Sequence, residues 1–188
     1  NWSSVRVSST GQYQSAVGGA TSSTRQVYRS TDYGVTWTAV GTTGNFVSIG
    51  MSSTGQYQTA CVNGGLLYTS NDYGATWGSR DSTRAWSAVA VSSTGQYQVA
   101  AVSGGLIYYS ADNGFTWTSK GSTANWSSVC ISSDGTRITA GISPSSGLSV
   151  STDSGATWTS KQNLGWDWQA VAMSSTGQYQ LAGANGRQ

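Results

Sequence analysis

The fold is decided by the stretch Ser30-Thr31-Asp32-Tyr33-Gly34-Val35-Thr36-Trp37. Its pattern, Ser-x-Asp-x-Gly-x-Thr-Trp, returns at residues 70–77, 110–117 and 151–158. The four aspartates therefore lie 40, 40 and 41 residues apart, at Asp32, Asp72, Asp112 and Asp153. A fixed period of this length is typical of repeat architectures, in which each unit buries its apolar face against its neighbours.

A second pattern, Ser-Ser-Thr-Gly-Gln-Tyr-Gln, keeps step with the first. It begins at residues 8, 52, 92 and 174, and a variant, Ser-Ser-Asp-Gly-Thr-Arg, covers 132–137. Nine positions before each glycine stands an aromatic residue: Trp2, Phe46, Trp86, Trp126 or Trp168. These landmarks predict one domain over residues 1–188, with units of about 1–44, 45–84, 85–124, 125–165 and a partial unit 166–188.

Each unit is predicted to contain four short strands. Val5 and Val7 flank Arg6 with the period of two that indicates a strand, and glycine pairs such as Gly104-Gly105 indicate turns. The chain has no glutamate and no helical periodicity. Four antiparallel strands every 40 residues predict an all-β fold, a β-propeller of four-stranded antiparallel blades with four complete repeats and a half repeat.

The four Ser-x-Asp-x-Gly-x-Thr-Trp segments resemble the Asp-box, also called the bacterial neuraminidase repeat (BNR). This resemblance implies a sialidase-like propeller with the box in the turn between the third and fourth strands of each blade. It also implies that the aspartates accept turn hydrogen bonds, that the glycines take a special backbone angle, and that the tryptophans pack between strands. The structural residues are then Asp32, Gly34, Trp37, Asp72, Gly74, Trp77, Asp112, Gly114, Trp117, Asp153, Gly155 and Trp158.

Turn chemistry explains these aspartates without a catalytic or metal-binding role, because an Asp side chain readily binds nearby backbone amides. They occur once per unit, so they are expected to spread around a ring and not to converge. The Asp-x-Gly spacing also resembles part of a calcium loop, but the further oxygen ligands and closing Glu of such a loop are missing. We therefore expect neither metal nor cofactor.

The sequence lacks the groups that a sialidase active site would require. In that family a Tyr nucleophile acts with a Glu, an Asp acid and three arginines, whereas this chain has no Glu and no His. The Arg-Ile-Pro segment of those enzymes is also missing, since the only proline is Pro144. Glycoside hydrolysis needs two convergent carboxylates, and the unpatterned ones are only Asp81, Asp134 and Asp167. We therefore expect no enzymatic activity.

Composition argues against several classes of partner. Nine Lys or Arg oppose seven Asp, and the formal charge of +2 is too small to favour nucleic acid or an anionic membrane. Cys61 and Cys130 lie two repeats apart, so buried free thiols are expected and not a disulfide. The cellular compartment stays open.

Two functions fit this sequence. The units are very alike, which indicates recent duplication or a designed or reconstructed repeat. A functional site would break the symmetry of the units, so the predicted function is a structural scaffold, as a fragment of a longer array or as a designed protein. The alternative is a multivalent, lectin-like carbohydrate-binding propeller that uses the rim opposite the Asp-box turns, where residues 41–45, 79–85, 120–125 and 161–167 link the units. Its candidate ligand-binding residues are Trp86, Trp126, Asn125 and Trp166.

The fifth unit contains only its first two strands. We expect it to leave an unpaired edge, and an exposed edge templates pairing with another chain. Self-association that completes the blade is therefore predicted, and the alternative is a ring of about five positions with one thin blade. Arg6 stands in a column that is otherwise small, which suggests an unusual neighbour for the first unit.

Overall fold

The computed structural model describes residues 1–144, 147–162 and 166–185, without the side chains of Ser22 and Gln162. This part of the chain is all-β, as predicted, apart from one turn of 3-10 helix at Ser22–Thr24. The strands are β1 (Trp2–Val7), β2 (Gln14–Gly18), β3 (Arg25–Ser30), β4 (Thr38–Gly44), β5 (Phe46–Met51), β6 (Gln58–Ser70), β7 (Gly78–Val91), β8 (Gln98–Ser110), β9 (Thr118–Ile131), β10 (Ile138–Ile142), β11 (Leu148–Ser151), β12 (Thr159–Gln162), β13 (Asp167–Met173) and β14 (Gln180–Asn185).

The first unit shows the predicted blade most simply. Strands β1, β2, β3 and β4 pair in chain order as one antiparallel sheet. Gln14 of β2 lies opposite Val7 on one side and Ser30 on the other. In the last unit, β13 and β14 pair as a two-stranded sheet.

The middle units share long strands. The first part of β6 pairs with β5 and its second part with β7, while the last part of β7 pairs with β8. The turns inside β6 and β8 fall at Gly64 and Gly104, whose φ angles of +73° and +71° suit glycine. From β5 to β12, therefore, each strand pairs with the next strand in the chain, so the eight strands are linked by hydrogen bonds without a break.

This continuity corrects one expectation from the sequence. Residues 79–85 and 120–125, predicted as links, lie inside β7 and β9. The outer strand of one unit runs directly into the inner strand of the next, because register shifts between β6 and β7 and between β8 and β9 bend the paired strands without ending them. Polar composition suggested loops here, but the backbone stays paired.

The hydrophobic core lies between successive units. Three clusters each combine residues of two neighbouring units, and in the first of them Val17 and Val27 pack with Phe46, Ile49 and Ala60. Equivalent clusters join the second unit to the third and the third to the fourth. The sheets of the second and third units are therefore stabilised by neighbouring sheets on both faces, as in other repeat architectures.

The inner strands of all five units line one cavity of about 290 Å³. Its lining includes Ser4, Ser48, Ser87, Ser127 and Gln169, one residue from each unit. Arg6 also lines this cavity. Its Nη1 donates to the Val5 carbonyl oxygen at 2.8 Å.

Candidate functional site

The aspartate turns have the same geometry in each of the four units. In the second unit, Oδ1 of Asp72 accepts hydrogen bonds from Ser70 Oγ at 2.7 Å and from the Thr76 amide at 2.9 Å, while Oδ2 accepts from Thr76 Oγ1 at 2.6 Å. Trp77 Nε1 donates to the Gly74 carbonyl oxygen at 3.1 Å. The corresponding bonds form around Asp32, Asp112 and Asp153.

These hydrogen bonds stabilise the carboxylates as anions. The hydroxyl and amide of Thr36, with Ser30, lower the pKa of Asp32 to about 2, and Thr157 with Ser151 does the same for Asp153. Partial burial raises the pKa of Asp72, but hydrogen bonds from its own turn outweigh that effect and the pKa is lowered. Such groups suit a structural turn better than proton transfer near neutral pH.

The aspartate turns and the Ser-Thr-Gly turns lie at one rim, as the sequence predicted. The Tyr33 amide donates to the Gln12 carbonyl oxygen at 3.2 Å, and the Tyr73 amide donates to that of Gln56 at 3.1 Å. Neighbouring units are also joined here, because the Ser53 amide donates to the Ser93 carbonyl oxygen at 2.9 Å. We call this edge the aspartate rim.

The sequence interpretation missed a set of buried glutamines that join the units. Gln58 and Gln98 are fully buried. Gln58 Oε1 accepts a hydrogen bond from Ser15 of the preceding unit at 2.7 Å, and its Nε2 donates to the Gly55 carbonyl oxygen at 2.9 Å. Gln98 accepts from Thr59 in the same way. The available signal was the return of Gln at the start of the second strand in four of the five units.

The structure does not support two of the predicted ligand-binding residues. Trp86 and Trp126 are 0% and 3% exposed, so no ligand can stack on their rings. Trp86 instead contacts Tyr108 edge-on, with ring centroids 5.2 Å apart, in the cluster between the second and third units. Asn125 and Trp166 are exposed, and the Trp166 ring lies 5.9 Å from that of Trp168.

The remaining carboxylates have local partners. Asp81 forms an ion pair with Arg84 at 3.6 Å. Asp134 accepts from Ser132 Oγ and from the Thr136 amide and hydroxyl, which lowers its pKa. Among the described residues, no three His, Cys, Asp or Glu side chains are grouped so that they could hold a metal ion.

Both cysteines are free and buried. Burial raises the pKa of each thiol to about 12. The expectation of buried free thiols is therefore confirmed, and neither sulfur has the lowered pKa of a reactive cysteine.

A search for membrane-spanning helices among the described residues finds none of sufficient length and hydropathy.

Comparison with solved structures places this arrangement among known folds. The chain superimposes on the GH74 enzyme of Niastella koreensis with a TM-score of 0.66 at 20% identity, on YCF48 of Cyanidioschyzon merolae with 0.66 at 12%, and on the β-propeller domain of Myceliophteria thermophila Cps50 (Swd1) with 0.68 at 12%. The fold is a β-propeller. This confirms the predicted fold class, and at these identities the likeness concerns the fold alone.

The matches cover most of this chain but differ in how much of the other protein they include. The match to the GH74 enzyme covers 92% of this chain and 26% of the enzyme. The match to YCF48 covers 97% of this chain and 71% of YCF48, and the match to the Cps50 domain covers 98% of this chain and 64% of that chain. The chain thus spans about a quarter of the GH74 enzyme. No family model and no curated protein sequence matches it. The Asp-box assignment therefore stays a prediction.

Proposed function

We propose that the protein is a non-catalytic propeller scaffold whose blades are held by Asp-box turns. The observation that carries this proposal is the hydrogen bonding of the aspartates. Both oxygens of Asp72 accept bonds from residues of its own turn, and the same holds in the other three turns. These turns occur once per unit, so they offer no convergent acid and base.

A glycosidase assay tests the absence of catalysis. We expect purified protein to release no fluorophore from a sialoside or from a panel of other fluorogenic glycosides, with a known sialidase as positive control. Turnover that co-purifies with the protein and disappears on heat unfolding would overturn the non-catalytic assignment.

Self-association is the second part of the proposal. Trp2, Val5 and Trp37 of the first unit are 68%, 55% and 40% exposed and line an apolar depression of about 670 Å³. The equivalent Trp86 and Val89 are buried against the second unit. Burial of such surface is favourable. A second copy that covers this face with its last unit would repeat the pattern of the internal interfaces.

The last unit has features that suit this contact. Leu181, on β14, is 75% exposed, and Tyr179, directly before that strand, is 72% exposed. Within the described residues β14 pairs only with β13, so its other edge is open to another strand. The exposed apolar residues and the open edge thus lie in the same unit.

Light scattering at rising concentration tests the association. We expect the mass to exceed that of one chain at micromolar concentration, and we expect Trp2→Ser with Val5→Ser to shift the protein towards the monomer. Val35→Ser is the matched control, because Val35 is 80% exposed but belongs to an aspartate turn. A protein that stays monomeric when concentrated would overturn this part of the proposal.

A carbohydrate-binding propeller is the second candidate function. The observation in its favour is the exposed Trp166 ring, 43% accessible beside Trp168, since aromatic faces stack on sugar rings. A structural neighbour, YCF48, has been solved bound to a D1 peptide, so a propeller of this type can present a ligand surface. A glycan array with wild type and Trp166→Ala tests this candidate, and an array without specific signals would remove it.

A further inference from the structure

A polar notch opens at the aspartate rim between the second and third units. Its volume is about 280 Å³, close to the lower end of small-molecule sites. Asn71, Trp77 and Arg80 line it from the second unit, and Asn113 and Phe115 line it from the third. The notch therefore has room for a ligand of monosaccharide size.

The notch is lined in part by residues that are not repeated between units. Four lining residues differ from their equivalents in the three other units that contain the aspartate motif. Asn71 is equivalent to Thr31, Ala111 and Thr152, and Arg80 is equivalent to Val40, Lys120 and Lys161. Asn113 is equivalent to Tyr33, Tyr73 and Ser154. Phe115 is equivalent to Val35, Ala75 and Ala156. Two of these residues belong to each unit, and the tertiary structure brings all four together.

A fifth residue that differs from its equivalents in the other units, Gly78, leaves space for the guanidinium of Arg80. Gly78 stands where the other units have Thr38, Thr118 and Thr159. A Cβ atom at Gly78 would lie 3.1 Å from Nη1 of Arg80 and 3.3 Å from Nη2. Since contacts of this length are tighter than most real Cβ contacts, glycine here gives the guanidinium space that threonine would restrict.

The guanidinium of Arg80 keeps hydrogen-bonding capacity for a ligand. Its central carbon, Cζ, lies 4.8 Å from the centre of the Phe115 ring. Its Nη1 donates to the Ser79 carbonyl oxygen at 3.0 Å. Its Nε is buried without a hydrogen-bond partner. Among the described residues Arg80 forms no ion pair, and the ion pair present there joins Arg84 to Asp81. Arginine presents five donors, so several remain for an oxyanion.

We propose that this notch binds an acidic monosaccharide, with the guanidinium of Arg80 donating to its carboxylate or sulfate oxygens. The amides of Asn71 and Asn113 both donate and accept, which suits ring hydroxyls. The exposed part of Phe115 supplies an apolar surface beside them. The proposal rests on the carbohydrate-binding function, but it places the site at the aspartate rim and on other residues.

Titration of the full chain with glucuronate, glucose 6-sulfate and glucose tests the proposal. Amide chemical shifts in ¹H–¹⁵N NMR spectra, at constant ionic strength, report both affinity and location. We expect saturable shifts at Asn71, Gly78 and Asn113 with the acidic sugars and much weaker shifts with glucose. The two acidic probes show which oxyanion the notch prefers.

The repeat itself supplies variants that are compatible with the fold. Asn71→Thr, Arg80→Lys and Phe115→Ala each introduce the residue of an equivalent position in another unit. We expect each to weaken binding about tenfold, equivalent to the loss of one charge-assisted hydrogen bond or stacking contact of about 1.4 kcal/mol. Lys120→Ala is the matched control, because Lys120 is the equivalent cation of the third unit and lies outside the notch.

The outcomes separate this proposal from the function on which it rests. Absence of saturable binding by either acidic sugar would overturn it, and so would equal affinity for glucose. Binding that Trp166→Ala abolishes and Arg80→Lys leaves intact would overturn the notch but keep a carbohydrate site on the opposite rim. Binding that follows the three notch variants, in proteins whose melting temperatures match the wild type, would support it.

Discussion

Substitution of Asp72 by alanine measures how much one aspartate turn stabilises its blade. The change removes the acceptor of Ser70 Oγ, of the Thr76 amide and of the Thr76 hydroxyl. Thr76 is exposed, so water can replace its lost acceptor. Ser70 is only 4% exposed, and the proton of its hydroxyl would lose its acceptor, although the hydroxyl oxygen still accepts from the Gly74 amide. An unsatisfied buried donor costs about 1–3 kcal/mol, and we expect a loss of stability of that size.

Thermal and urea unfolding of the wild type and the variants give the measurement. For a chain of 188 residues the expected loss lowers the melting temperature by roughly 2–12 °C. Asp72→Asn keeps one acceptor oxygen and should lose less. Asp134→Thr is the control, because threonine occupies that position in the other copies of the motif. An Asp72→Ala protein with unchanged melting would refute the structural role of the carboxylate.

Three further predictions follow from the same contacts. Gly95→Ala should cost more than about 1 kcal/mol, because φ is +85° and the new Cβ would lie 2.5 Å from Tyr57, whereas Gly183→Ala, with open space, should be neutral in unfolding experiments. The stabilisation from Asp32 and Asp153 should be complete above about pH 4 and should be lost as the pH falls towards 2, because folding lowers the pKa of both groups to about 2 from an ordinary value near 3.9. Unfolding midpoints that stay the same between pH 4 and pH 2 would contradict this. Both cysteines should resist an aromatic disulfide reagent at pH 8 until denaturant is added, because burial raises their pKa to about 12, and fast labelling of native protein would contradict this.

The sequence predicted the elements of each blade because their signals are local. An Asp-x-Gly turn, a period-two strand and a Gly-Gly reversal each need only a few neighbouring residues. The links at 79–85 and 120–125 were predicted wrongly, since polar composition alone does not show that the backbone remains paired in β7 and β9. Trp86 was proposed as a ligand contact, but its complete burial depends on the sheet of the preceding unit.

The sequence by itself determined the repeat, the all-β class and the aspartate turns, because these follow from spacing and turn chemistry within single units. Only the tertiary structure decided what lies between units. It showed that Gln58 and Gln98 are buried as links across blade faces, and that Asn71 and Arg80 meet Asn113 and Phe115 in one notch. These residues stand about 40 positions apart, so the blade packing that joins them cannot be deduced from local patterns.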